Sequence, residues 1–217
     1  MTGKIKLVHS GGNAVSIAVP TSNPSSSEVE FKLPQADGSS GQALVTDASG
    51  NLSFASVAGG KLLQIQQTAK TDTFSASIGK QSFSGAAISV TITPANSSNK
   101  ILLFANLTIG LESDNDIGFA FFKAGSVITG ATADASGSAA RLHAQGFNSH
   151  SEHQNTITGI YLDTAGGTSA ITYDCRLRHG NNSTSGHTIY LNRDHGGGTG
   201  DMEQNSMSTL TAIEVAA

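Results

Sequence analysis

Lys100-Ile101-Leu102-Leu103-Phe104-Ala105-Asn106-Leu107-Thr108-Ile109-Gly110-Leu111 decides the fold. Ile101, Leu103, Ala105, Leu107, Ile109 and Leu111 occupy alternate positions, the two-residue period of a strand with one face on a core. The opposite face starts with Leu102 and Phe104 and continues as Asn106, Thr108 and Gly110. An isolated sandwich would leave that second face to water. Its apolar start therefore predicts cover from another element or another subunit.

The same period runs outward from this stretch. Ile88, Val90 and Ile92 alternate with Ser89, Thr91 and Thr93 until Pro94 stops the run. Ile117, Phe119 and Phe121 form the next strand, with Phe122 on its other face. Further strands are predicted over Ala139–Phe147, Thr156–Leu162, Thr168–Arg178, Thr188–Arg193 and Ser208–Val215. In the third of these, Ile171, Tyr173, Cys175 and Leu177 face inward. Clusters of Gly, Asn, Ser and Asp at 95–99, 113–116, 165–167, 180–186 and 196–200 mark the turns. Helical periodicity is nearly missing. The best helix candidate is Lys61–Ala69, and its Gln and Thr content argues against it. Short strands at this spacing predict an all-β fold, an antiparallel jelly-roll β-sandwich.

Composition narrows the function classes. The chain of 217 residues has a formal net charge of -4, so no basic field holds a nucleic-acid backbone. Charged residues are 13% of the chain, about half the usual share. Ser, Thr, Asn and Gly must cover the surface instead, which suits a protein outside a cell or packed against its own copies. No run of about 18 apolar residues occurs, so membrane insertion is not expected. Met1–Val8 lacks the apolar core of a signal peptide. An outside-type surface without an export signal predicts assembly in a host cytoplasm and release by lysis, as in a virion. Cys175 is the one cysteine. Its inward position predicts a buried structural thiol, and no intramolecular disulfide exists.

The first 60 residues differ from the rest. Lys4–His9, Ala14–Val19 and Val29–Leu33 are strand-like, separated by Gly, Ser, Asn and Pro. Their apolar residues are too few for an independent core. Gly59-Gly60 reads as a hinge. The expected organisation is a small β-rich attachment or stalk arm over residues 1–60 and a sandwich head over residues 61–217.

Leu33-Pro34-Gln35-Ala36-Asp37-Gly38-Ser39-Ser40-Gly41-Gln42-Ala43-Leu44-Val45-Thr46-Asp47-Ala48-Ser49-Gly50-Asn51-Leu52-Ser53-Phe54 resembles a segment of tail-fibre and other structural proteins of marine phages. The pattern there is roughly LPxxDGxxGQxLxTDxxGxLx followed by an aromatic residue, often Trp where this chain has Phe54. Asp37-Gly38 and Ser49-Gly50 are tight-turn dipeptides, the first the better hairpin former. Gly41 is a second candidate for special backbone geometry. The run from Lys4 to Pro20 resembles the start of the same proteins. Residues 88–94, 100–109 and 208–215 make the second domain similar to tail-fibre heads, which are jelly rolls like those of complement C1q or tumour necrosis factor. The resemblance implies a homotrimeric virion appendage, with residues 1–60 on other virion proteins and the head on a host surface glycan or protein. Leu44, Leu52, Phe54, Leu102, Phe104 and Phe122 are the candidate trimer contacts. A capsid decoration or head-fibre protein is the alternative, and a glycan-binding or glycan-cleaving spike the second alternative.

Site chemistry is sparse. His150 and His153 bracket Glu152, three metal-ligand residues within four positions, in a Ser- and Asn-rich stretch that reads first as a solvated loop. His179, His187, Arg193, Asp194 and His195 are candidates for a receptor-binding loop cluster, with Arg176 and Arg178 nearby. No nucleophile elbow, zinc-protease motif or phosphate loop ending in Lys-Ser or Lys-Thr occurs. No catalytic or cofactor-binding residue is expected. Asn96, Asn106 and Asn182 match the glycosylation acceptor pattern by accident of composition.

Overall fold

The computed structural model describes residues 4–18, 20, 22, 24, 28–56, 61–80, 82–180, 186–196 and 205–217. The chain divides into two units, Met1–Gly59 and Gly60–Ala217. The Gly59-Gly60 hinge and Asn182 lie outside the described residues.

The first unit holds two antiparallel hairpins. β1 (Lys4–Val8) pairs with β2 (Ala14–Ala18), and β3 (Gln42–Thr46) pairs with β4 (Leu52–Ser56). The β3–β4 turn is made by Asp47–Asn51 and holds the predicted Ser49-Gly50, while Asp37-Gly38, the better hairpin former by dipeptide, lies before β3. The Asp47 carboxylate accepts the N–H groups of Ser49 (2.8 Å) and Asn51 (3.1 Å) and the Asn51 side-chain amide (2.6 Å). Ala48 and Gly50 carry φ of 65° and 86° there, and Gly41 has φ of 84°. A side chain at Gly50 would run into the Glu30 carbonyl, so Gly is required twice over. The predicted Val29–Leu33 strand reduces to one parallel bridge, Lys32 to Asn51.

The second unit is an antiparallel β-sandwich of the jelly-roll class, its strands β5 (Leu62–Lys70), β6 (Phe74–Ile78), β7 (Ala86–Ile92), β8 (Lys100–Leu111), β9 (Asn115–Lys123), β10 (Ser126–Val127), β11 (Ala144–Asn148), β12 (Gln154–Thr164), β13 (Ile171–His179), β14 (His187–Leu191) and β15 (Ser208–Val215). One sheet runs β7–β13–β9, with β10 and β11 sharing the far edge of β9. In the other, β8 is central. β12 lies along one side of it. β15, then β5, line the first part of the other side, and β14, then β6, the last part.

The core sits between the sheets. Ile88, Val90, Ile92, Ile117, Phe119, Phe121, Tyr173, Cys175 and Leu177 meet Ile101, Leu103, Ala105, Leu107, Ile109, Ile189, Leu191, Leu210 and Ala212. Period-two alternation placed these side chains inward, as the sequence predicts. Buried Glu214 closes one end of the core. Its carboxylate accepts hydrogen bonds from the Asn99 amide (2.6 Å), the Gln64 amide (2.6 Å) and the Ala95 N–H (2.8 Å), so it is fully partnered.

Three sequence expectations change. Lys61–Ala69 is strand β5, because β15 offers it a continuous antiparallel partner from Leu62 to Lys70 and the Gln- and Thr-rich segment has little helix propensity to resist. Ala139–Phe147 is a strand only from Ala144 onward. Before that, Arg141 Nε donates to the Ala133 carbonyl (2.7 Å) and Ala133 N–H to Leu142 (3.2 Å), holding a loop. β6 was not anticipated, although Phe74, Ala76 and Ile78 alternate.

Candidate assembly face and loop clusters

The outward face of β12–β8–β15–β5 carries cross-strand rows. Leu162, Leu102, Ile213 and Ile65 form one row, and Ile160, Phe104, Thr211 and Gln67 the next. Neighbouring side chains in such rows touch one another, so the aliphatic residues join into one patch. Phe104 is 44% exposed, Ile160 54%, Leu162 53% and Ile65 55%. The following row is Thr158, Asn106, Thr209 and Ala69. Lys100 at the end of the face, hydrogen-bonded to Thr164 Oγ1 at 2.7 Å, is its charged boundary. Between Lys100 and Thr108 the face has no charged side chain among the described residues. An open antiparallel sheet normally turns a polar, charged surface to water; this one turns Leu, Ile, Phe and Thr outward.

Leu102 and Phe104 therefore stand where the sequence placed them. Ile65, Ile160, Leu162 and Ile213 were missed. The signal was in the sequence: Ile157 and Ile160 differ by an odd number of positions, so β12 is apolar on both faces. Phe122 is a correction. It is buried within its own subunit, edge-on to Phe83 at 5.3 Å and beneath the Arg176 guanidinium at 4.3 Å, so its second-face cover is internal. In the first unit, Leu44 and Phe54 are direct cross-strand partners, Leu52 faces the same way, and Phe54 packs on Gly38, where a side chain would come within 2.5 Å of its ring.

The His-rich loops fall into separate groups. His150 and His153 stack at 5.4 Å between ring centres, His150 Nδ1 lies 3.9 Å from Glu152, and Ser149 Oγ holds His153 Nδ1 at 3.1 Å. These are contacts within one exposed loop. Among the described residues no three His, Cys, Asp or Glu side chains converge as ligands.

The receptor-loop candidates are divided by burial. His179 and Asp194 are buried and cannot present a loop surface, which corrects their assignment. His179 Nε2 contacts the Ile78 carbonyl at 2.8 Å, and its ring meets His187 edge-on at 5.3 Å. His187 Nδ1 stands 3.2 Å from the Glu112 carboxylate, close enough for an ion pair but off hydrogen-bond geometry. Burial raises the Glu112 carboxyl. The Thr188 hydrogen bonds, helped by His187 and His195, outweigh that and leave it below the ordinary range. Arg193 lies 4.3 Å over the Tyr190 ring, and Tyr190 Oη meets His195 Nδ1 at 2.9 Å.

Asn192, at the end of β14, is buried with φ of 68°. Its amide donates to the carbonyls of Lys70 and Asp72 at 2.8 Å each, and its oxygen accepts from Ser208 Oγ at 2.6 Å. Asn tolerates this left-handed backbone better than most residues. Cys175 is enclosed in the core, and burial pushes its thiol well above its ordinary pKa, which makes it a poor nucleophile. Tyr173 Oη and Lys123 Nζ both donate to Asp163, each at 2.7 Å. Burial, then Asp163, raise the Tyr173 hydroxyl. This triad ties β9, β12 and β13 together rather than forming an open site.

No protein-family model matches the chain, and no curated protein matches it. Among solved structures, it is similar to that of infectious bursal disease virus Gt strain at 13% identity and a TM-score of 0.38, over 95% of this chain and 48% of that one. It is similar to that of the Gx strain at 12% identity and a TM-score of 0.36, over 81% and 41%. The chain spans less than half the length of these neighbours. The all-β assignment rests on the strands and their pairing, not on this likeness.

Proposed function

We propose that this chain is a non-enzymatic structural subunit of a phage virion, a homotrimeric tail fibre or similar appendage. Residues 61–217 form its head, and residues 1–60 hold another virion protein. The observation that supports this best is the outward face of β12–β8–β15–β5. Its exposed Phe104, Ile160, Leu162 and Ile65 and its lack of charge suit burial against copies of the same surface. Such a contact removes apolar area from water without stranding a charge. The occupant is a second and third copy, because an uncharged face gives no electrostatic basis for selecting a different partner. The phage context is supported by the motif from Leu33 to Phe54 and by the surface poor in charge.

Quantifying the chain in purified particles, together with antibody labelling, tests the reading. A copy number divisible by three and label on the tail are expected. Label on the shell would transfer the same subunit to capsid decoration. Loss of the chain from washed particles would contradict a virion role.

A further inference from the structure

Residues 29–33 of the first unit make half of a strand pairing. Lys32 N–H donates to the Gly50 carbonyl, and Leu52 N–H donates to the Lys32 carbonyl, each at 2.8 Å. Both main-chain groups of Lys32 therefore face β4, and the Glu30 carbonyl lies against Gly50 on the same side. In an extended chain the main-chain groups of successive residues point to opposite sides. Val29, Phe31 and Leu33 thus turn theirs away from β4, and among the described residues no main-chain partner meets them. The side chains alternate in step. Lys32 Nζ lies 3.8 Å from Glu30 Oε2 on one face, while Val29, Phe31 and Leu33 stand exposed on the other.

An unpaired main-chain edge beside an exposed apolar row is a template for another strand. The sequence selects which strand. Antiparallel pairing of the segment with itself, centred on Phe31, sets Phe31 against Phe31 and Val29 against Leu33. It also sets Glu30 against Lys32 in both directions. Aromatic, aliphatic and opposite-charge pairs all favour such a register. The same register brings the open main-chain groups of residues 29, 31 and 33 face to face, where each hydrogen bond finds its partner. Other centres fail. Centring on Val29 opposes Glu28 to Glu30, two like charges. Centring on Leu33 opposes Lys32 to Pro34 and loses the charge pair. Centring on Glu30 or Lys32 calls on main-chain groups that already face β4.

We propose that residues 29–33 pair antiparallel with the same residues of a second copy of this chain, about a two-fold axis at Phe31. The occupant is the chain itself because the segment is its own complement in charge, in apolar side chains and in main-chain parity at one register. The contact joins copies pairwise through the first unit. It does not use the head face, and it does not rest on the attachment role proposed for residues 1–60. So short a pairing is weak in dilute solution, and it is therefore read by trapping rather than by mass.

Disulfide trapping of the full chain is the experiment. A hydrogen-bonded antiparallel pair sets its Cα atoms about 5.5 Å apart, within the span a disulfide bridges. Cys175 is buried in the core, so the introduced thiol is the reactive one. With oxidised glutathione, Phe31→Cys should form the covalent dimer at least about ten-fold faster than Ile17→Cys, a similarly exposed position on β2. Adding Glu30→Lys should slow Phe31→Cys about five-fold or more, because two positive charges then oppose each other across the pair. Adding Lys32→Glu as well should restore the rate. Repeating the series with Phe104→Lys and Leu162→Lys in the chain removes association through the head face, so failure of that contact and failure of this one read separately. Equal rates at positions 31 and 17 would leave the edge to a different protein and overturn the proposal. An unchanged rate with Glu30→Lys, or no recovery on the double exchange, would overturn it too.

Discussion

Lys4–Val8 and Lys100–Leu111 are both strands with aliphatic residues at alternate positions. Ile5 and Leu7 stand exposed, whereas Ile101 and Leu103 are completely buried. The contrast extends across both units. Among the described residues of Met1–Gly59 none is buried, and Leu33 is 78% exposed. Gly60–Ala217 holds an entire two-sheet core. Identical local patterning thus has two outcomes. A two-stranded hairpin has no second layer to bury its apolar side, and it is marginal in water alone. A strand inside a five- or six-stranded sheet of a sandwich has both neighbours and a facing sheet. The first unit leaves its apolar side chains in water, and the second covers most of its own.

The sharpest way to break this contrast is paired truncation. Phe119→Ala removes a fully buried ring and should cost about 3–5 kcal/mol. Leu33→Ala should move stability by less than about 0.5 kcal/mol. Denaturant unfolding of the full chain followed by circular dichroism measures both; comparable losses would end the distinction. An intermediate effect is expected at Glu214. Burial alone raises its carboxyl, but the hydrogen bonds from Asn99, Gln64 and Ala95 prevail and hold it below the ordinary range. A depressed folded-state pKa contributes stability that is present above the unfolded value, about 4.3, and lost as pH falls through the folded value. Glu214→Gln should therefore cost about 1–3 kcal/mol at neutral pH, since its amide would face the donors it replaces. The difference from wild type should shrink toward acid, as pH-dependent melting would show. The smallest effect belongs to Asp47→Ala. Hydrogen exchange should quicken at Ser49 and Asn51, whose N–H groups Asp47 accepts, while the melting of the second unit stays unchanged.

Much of this fold was legible in the sequence. Alternation at Ile88–Ile92, Ile101–Leu111 and Ile171–Leu177 registers burial directly, because a core face selects every second residue. β5 was harder, since Gln64, Gln66 and Gln67 carry no strong pattern and β15 imposes the strand from outside. The β3–β4 turn was legible at Ser49-Gly50, whereas the ranking of Asp37-Gly38 above it was not sustained, because Asp47 closes the turn through three hydrogen bonds that only the folded loop brings together. Phe122 looked outward by parity. Phe83 and Arg176, distant in sequence, supply its cover. His179 and Asp194 looked like loop residues by composition, yet both are buried. The lateral rows of the assembly face arise from register between β12, β8, β15 and β5. One strand, read alone, exposes only Leu102 and Phe104.

Self-association of that face is the property that decides the assembly. The direct measurement is the mass in solution by light scattering of the full chain and of the Phe104→Lys and Leu162→Lys variants. A wild-type particle three times the 22.1 kDa chain mass and monomeric variants with unchanged strand content are expected. A wild-type monomer at tens of micromolar, or trimers that persist with lysine at both positions, would contradict it.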